Sequence, residues 1–146
     1  MLVTIEELGK TSLYPEIIQK ITRGSNDAAE LCILEAESLA RSYMSKYNLD
    51  AIFGNAESEP TFTGQDINLV KKIIKIIASY YLVRKANPNV NVELFRADYE
   101  DALTWLESLQ AGNVNPDLPY KPDSSETGGD NSDVYFNSLP KQNNFF

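Results

Sequence analysis

Residues 65–85 read QDINLVKKIIKIIASYYLVRK, and this stretch decides the fold class of the chain. Its isoleucines and valines alone would suit a buried strand, but the stretch is too long for one. Apolar side chains recur instead at the spacing of an α-helix, at Ile67, Val70, Ile74, Ile77 and Tyr81. Because this helix is apolar on almost every side, we expect it to lie at the centre of a helical bundle.

A second long helix is predicted over residues 91–111, followed by Gly112 where a C-cap glycine belongs. Its apolar residues alternate steps of three and four, at Val92, Phe95, Tyr99, Ala102, Leu106 and Leu109. This a/d spacing predicts that one face of the helix packs against a neighbouring helix. We expect that contact to bury a shared set of side chains, namely Ile74, Ile77, Tyr81, Phe95, Tyr99 and Leu106.

The N-terminal part of the chain adds a third long helix and two short ones. Thr4 and Glu7 have the spacing of a capping box and open a short helix over residues 5–8. A proline suits the first position of a second short helix over 15–23, and a face of small apolar residues predicts the long helix over 27–47.

A loop is predicted over residues 48–64, before the central helix. Within and after it, Thr63 and Asp66 repeat the capping-box spacing, with Asp in place of Glu. No strand-like alternation occurs in residues 1–112. The sequence therefore predicts an all-α fold, a bundle of about five helices of which three are long.

Composition changes sharply after Gly112, which divides the chain into a helical domain, 1–112, and an extended low-complexity arm, 113–146. The arm holds four of the seven prolines, two adjacent glycines and many Asn, Ser and Asp residues. Such a segment cannot bury enough apolar surface to form its own core. It nevertheless carries large apolar side chains that would suit binding to a neighbouring subunit or another partner: Tyr120, Tyr135, Phe136, Leu139, Phe145 and Phe146.

The overall composition argues against several classes of function. The 146 residues include no histidine, which is the commonest general base and the commonest metal ligand. They include a single cysteine, so no disulfide framework is possible. The formal net charge of −8 lacks the basic character typical of nucleic-acid-binding domains. We expect no enzymatic activity, no cofactor and no membrane association, and an acidic N-terminus unlike a signal peptide predicts synthesis in the cytosol.

Three groups of residues are candidates for function. Asp98 and Asp101 are helical neighbours that could share a proton or a cation, although charges on a polar helix face normally contact solvent. Lys71, Lys72 and Lys75 could bind an acidic partner or nucleic acid, or could keep an apolar helix soluble.

The third group is apolar. Leu94 and Trp105 lie off the a/d face of the last predicted helix and widen its apolar surface. Large apolar side chains in such positions often anchor contacts between subunits. We expect these residues to contribute to a subunit interface.

Several segments together resemble a known family. They are the Thr-x-x-Glu-Leu start at residues 4–8, AESLARSYMSKY at 36–47, YYLV at 80–83 and RADYEDALTWLESLQAG at 96–112. With the aromatic C-terminal part, this order resembles the Mu-like prophage family of small virion proteins and, more widely, the head–tail connector (neck adaptor) proteins of tailed phages. Residues 53–64 depart from that pattern as an enlarged loop.

The resemblance implies a structural virion protein that forms a ring, often twelvefold, beneath the portal. The ring would extend the DNA channel and dock the tail, so the implied partners are further copies of the chain, the portal protein and a tail or tail-completion protein. DNA would pass through without sequence-specific binding, and the protein would reside in the virion neck after assembly in the host cytoplasm. The alternatives are a DNA-packaging accessory, a small helical regulator, or an enzyme that uses Asp98 and Asp101.

Overall fold

The structure is a computed structural model that describes residues 1–10, 13, 15–85 and 91–122. Within these residues it contains six helices and no strand, which confirms the all-α fold. The helices are α1 Ile5–Leu8, α2 Pro15–Thr22, α3 Asp27–Tyr43, α4 Leu49–Phe53, α5 Ile67–Lys85 and α6 Val92–Ala111. The three long helices α3, α5 and α6 pack together, with α5 against both of the others.

Helix ends follow local capping chemistry. At α1 the side chain of Thr4 accepts from the Glu7 amide while the Glu7 carboxylate accepts from the Thr4 amide, which is the predicted capping box. At the start of α6 the Asn91 side chain accepts from the Glu93 amide. Gly112 ends α6 with φ 82°, in the left-handed region where glycine pays no Cβ penalty.

Helix α4 is a correction to the sequence analysis, because it lies within the predicted loop. The Asn48 side chain caps it by accepting from the Ala51 amide at 3.1 Å. Ile52 and Phe53 are 0% and 1% exposed, so the turn is held by the core rather than by its own propensity. A helix this short has no room for a periodic pattern that the sequence could reveal.

Asp66 is also used differently from the predicted capping box. Its Oδ2 accepts a hydrogen bond from the Asp117 amide at 2.6 Å, and α5 begins one residue later at Ile67. The carboxylate thus ties the start of α5 to the chain beyond α6. The predicted use of the Thr63–Asp66 spacing was wrong because α5 begins at Ile67, so Thr63 does not occupy its N-cap position.

The predicted third helix ends earlier than expected, at Tyr43 instead of Tyr47. The reason lies in residues 113–122, which the sequence assigned to the arm. Tyr47 forms an antiparallel bridge with Tyr120, and their rings stack with centroids 5.0 Å apart. Flanking hydrogen bonds join Asn48 N–H to the Pro119 carbonyl at 2.8 Å and Lys121 N–H to the Lys46 carbonyl at 3.1 Å.

The first part of the arm therefore packs on the chain's own helices, with Leu118 only 3% exposed. This corrects the expectation that everything after Gly112 is free to bind elsewhere. Tyr120, one of the predicted partner-binding residues, has its stacking partner within the chain, although it remains 57% exposed. The other five, namely Tyr135, Phe136, Leu139, Phe145 and Phe146, lie outside the described residues.

The core follows the predicted faces at one end of the bundle and departs from them at the other. Ile74, Ile77 and Leu106 are at most 1% exposed, as expected. Tyr81, Phe95 and Tyr99 pack against the core as predicted but are only partly buried, so the prediction of their full burial was wrong. At this end tyrosines pack on one another, with Tyr80 stacked on Tyr99 at 4.4 Å, and such amphipathic rings commonly keep one edge wet.

One carboxylate, Glu37 on α3, is buried and holds the N-terminus. It is 4% exposed and accepts from the amides of Leu2, at 2.5 Å, and Val3, at 3.3 Å. Two backbone donors that would otherwise be buried without partners are thereby satisfied. The sequence analysis did not identify Glu37, because nothing local distinguishes it from solvent-exposed glutamates on the same helix.

Leu106→Ala should lower the free energy of unfolding by about 2–5 kcal/mol, because it removes buried methyl groups and leaves a cavity. Leu94→Ala on the same helix is the matched control, since Leu94 is 66% exposed. We expect that control to change stability by no more than about 0.5 kcal/mol. Urea denaturation followed by circular dichroism measures both, and equal midpoints for the two variants would contradict the packing of α6.

Glu37→Ala should lower the free energy of unfolding by about 1–3 kcal/mol, because two buried amides lose their acceptor. Hydrogen exchange measured by NMR should accelerate at Leu2 and Val3. Ser38→Ala, at the exposed neighbouring position, is the control and should leave both amides protected. Unchanged protection in Glu37→Ala would show that the carboxylate does not anchor the N-terminus.

Candidate functional site

A groove runs between α5 and α6 and brings together residues that the sequence analysis had placed in separate groups. One wall comes from α5 and the other from α6. The lining side chains are Leu69, Lys72, Ile73 and Ile76 from α5, and Asp98, Asp101, Ala102 and Trp105 from α6.

Most of the α6 residues that line the groove lie on one face of that helix. Leu94, Asp98, Asp101 and Trp105 follow one another at steps of four, three and four residues, so they share one face of the helix. We call these four residues the α6 stripe. Trp105 is partly buried against the core, whereas Leu94 is 66% exposed. The two residues predicted for a subunit interface thus lie on a single stripe.

The facing wall on α5 was missed by the sequence analysis. Leu69, Ile73, Ile76 and Tyr80 repeat the steps of four, three and four residues. This second apolar line was hidden because α5 is apolar on nearly every side. Only the position of α6 in the structure shows which of its apolar residues face the groove.

The groove carries opposite charges on its two walls. Helices α5 and α6 run antiparallel, because Tyr80 in the second half of α5 stacks on Tyr99 in the first half of α6. Lys72, in the first half of α5, therefore lies towards the Trp105 end, and Asp98 lies towards the Leu94 end. All three charged residues of the groove, Lys72, Asp98 and Asp101, are exposed.

The three lysines of the predicted patch differ in their surroundings. The Lys71 Nζ donates to Glu7 Oε1 at 3.0 Å, which joins α5 to α1, and Lys75 is partly buried. Lys72 is exposed and belongs to the groove. The structure thus divides these residues between an internal ion pair and the groove surface.

Asp98 and Asp101, the predicted carboxylate pair, are both exposed on the wall of the groove. Among residues 1–10, 13, 15–85 and 91–122, no group of three or more Cys, Asp or Glu side chains is arranged to hold a metal ion. No helix in that part of the chain combines the length and apolarity needed to cross a bilayer.

Comparison of the chain with protein-family models, with curated proteins and with solved structures found no match.

The Lys71–Glu7 ion pair makes stability depend on pH. Burial raises the pKa of Glu7, but the hydrogen bonds from Lys71 and the Thr4 amide outweigh it, so the pKa lies below its usual value. A lowered folded-state pKa means that the stabilisation is present above the unfolded-state pKa and is lost as the pH falls through the folded-state pKa. The wild type should therefore lose stability on acidification more steeply than Glu7→Gln, which keeps the capping box.

Chemical denaturation between about pH 7 and about pH 3 measures this difference. Lys71→Met should flatten the profile as Glu7→Gln does, whereas Lys72→Met, one residue away, should not. Profiles of the same slope in all four proteins would show that the pair contributes nothing.

Proposed function

We propose that the chain is a non-enzymatic structural protein that assembles with copies of itself, as a head–tail connector in the neck of a tailed phage. The observation that carries the proposal is the α6 stripe, in which Trp105 lines the groove beside the apolar wall of α5 and Leu94 is 66% exposed. Tryptophan is enriched among the residues that dominate the energy of protein interfaces. A partly buried tryptophan beside the partly buried Leu69 and Ile76 suits a surface that a second protein covers.

The charge pattern also suits a protein partner. Lys72 lies on the α5 wall towards the Trp105 end, and Asp98 and Asp101 lie on the α6 wall, so both signs of charge lie at the rim of the groove. Polar rims around an apolar centre are typical of protein interfaces, where the rim charges set orientation and partner choice.

The phage setting rests on the sequence resemblance. The segment that most resembles the connector family, residues 96–112, contains most of the α6 stripe and ends at the C-cap of α6. In a ring beneath the portal, copies of this chain would extend the DNA channel and meet the portal protein on one side and a tail protein on the other. The net charge of −8 would repel DNA phosphates and let the genome slide.

The alternative of a DNA-packaging accessory is less well supported. Such a protein needs an exposed basic face, and Lys71 is instead paired with Glu7 at 3.0 Å. An enzyme built on Asp98 and Asp101 is likewise disfavoured, because exposed carboxylates lack the desolvation that tunes an acid and a base apart.

Trp105→Ala should keep the helical content and weaken self-association, because it removes the largest apolar side chain of the stripe. Sedimentation velocity over a dilution series, with and without the phage's portal protein, measures the mass of the assembly. Gln110→Ala, at an exposed position outside the stripe, is the control and should assemble as the wild type does. A wild type that stays monomeric under every condition would contradict self-assembly, and normal assembly of Trp105→Ala would remove the stripe from the interface.

A further inference from the structure

The chain continues for residues 123–146 beyond its described part, and one stretch of that continuation has the chemistry of the groove. Residues 133–141 read DVYFNSLPK. An acid stands first, a base stands last, and Val, Tyr, Phe and Leu lie between them. This is an apolar segment with opposite charges at its two ends.

The groove has the complementary order of charges. Lys72 lies towards its Trp105 end and Asp98 towards its Leu94 end, with Ile73 and Ile76 between them. A segment that runs from the Trp105 end would place Asp133 near Lys72 and Lys141 near Asp98. Its aromatic residues would then lie beside Trp105, where aromatic pairs add to the area that they bury.

The place where the chain leaves its own body favours a neighbour's groove over its own. Lys121 and Pro122 lie beside residues of α4 and its surroundings, among them Asn48, Ala51 and Thr61. Among the described residues, those that line the groove come from α5 and α6, whereas those around Pro122 come from α4 and the loop that follows it. The exit of the chain and the groove therefore belong to different elements of the bundle.

The continuation is long enough to reach another molecule. Residues 123–146 could span up to about 80 Å when fully extended. A tether of that length raises the effective concentration of the segment at an adjacent subunit without requiring a large contact.

We infer that residues 133–141 of one copy dock in the α5–α6 groove of a second copy. Tyr135 and Phe136 pack against Trp105 and the α5 wall, and the terminal charges pair with Lys72 and Asp98. The inference rests on the proposed self-assembly and deepens it by naming the two surfaces that meet. It also leaves residues 113–122 in the position where the structure shows them, as a fixed base for the arm.

The only tryptophan of the chain is Trp105, so intrinsic fluorescence reports directly on the groove. The test uses the full-length protein and follows two readouts over a dilution series, the mass by sedimentation velocity and the Trp105 emission maximum. Replacing Tyr135→Ala and Phe136→Ala together should weaken association on the order of 30-fold. The Trp105 emission of that variant should shift to the red, because water reaches the indole.

A charge swap tests the register of the segment. Asp98→Lys and Lys141→Asp should each raise the dissociation constant about three- to fivefold, and the double variant should return it to within about twofold of the wild type. The control combines Asp98→Lys with Lys121→Asp, whose lysine does not line the groove, and it should show no recovery. Equal recovery in both pairs would overturn the specific pairing.

Three further outcomes would each overturn the inference. The emission maximum of the Tyr135→Ala and Phe136→Ala variant could still differ from that of the wild type at concentrations where both are monomeric. That result would mean that residues 133–141 occupy the groove of their own chain. If the Tyr135→Ala and Phe136→Ala variant matches the wild type in both mass and Trp105 emission, the chain self-associates without this contact. A wild type that never associates would remove the proposed function and the inference together, and its constant mass distinguishes that failure from the other two.

Discussion

The structure depends on covering α5, a helix that is apolar on nearly every side. A helix of this kind is stable in water only when neighbours remove most of its surface from solvent. Helix α3 covers one side with small residues, among them Ala29, Cys32, Ala36 and Ala40, which are all 0% exposed. Small side chains allow the two helices to approach closely, and α6 then covers a second side through Ala102, Leu106 and Leu109.

The coverage of α5 is incomplete along the groove, where Leu69 and Ile76 are only partly buried. Helix α1 covers a further strip, where Lys71 pairs with Glu7. Between that strip and the contact with α6 lie Ile73 and Ile76, bordered by the α6 stripe. The candidate interface is thus a consequence of the same apolar excess that drives the bundle to form.

Backbone amides in two irregular segments donate to carboxylates that are distant in the sequence. Glu37 accepts from the amides of Leu2 and Val3, and Asp66 accepts from the amide of Asp117. Glu37 lies within α3 and Asp66 directly precedes α5, so each contact holds an irregular segment against a long helix and gives its backbone donors a partner. They also fix the positions of Leu2, Val3 and Asp117 on the body.

The sequence by itself determined the fold class, the three long helices, the capping box at Thr4 and the C-cap at Gly112, because periodicity and capping act between residues close in the chain. It also picked out Leu94 and Trp105 as residues unaccounted for by the a/d face of α6. Only the tertiary structure decided that Asp98, Asp101 and Trp105 line one wall of a groove, that Lys71 pairs with Glu7 while Lys72 lines the groove, and that residues 113–122 lie on the body. Those outcomes depend on which helix stands next to which, and the spacing of residues along a single helix carries no information about its neighbours.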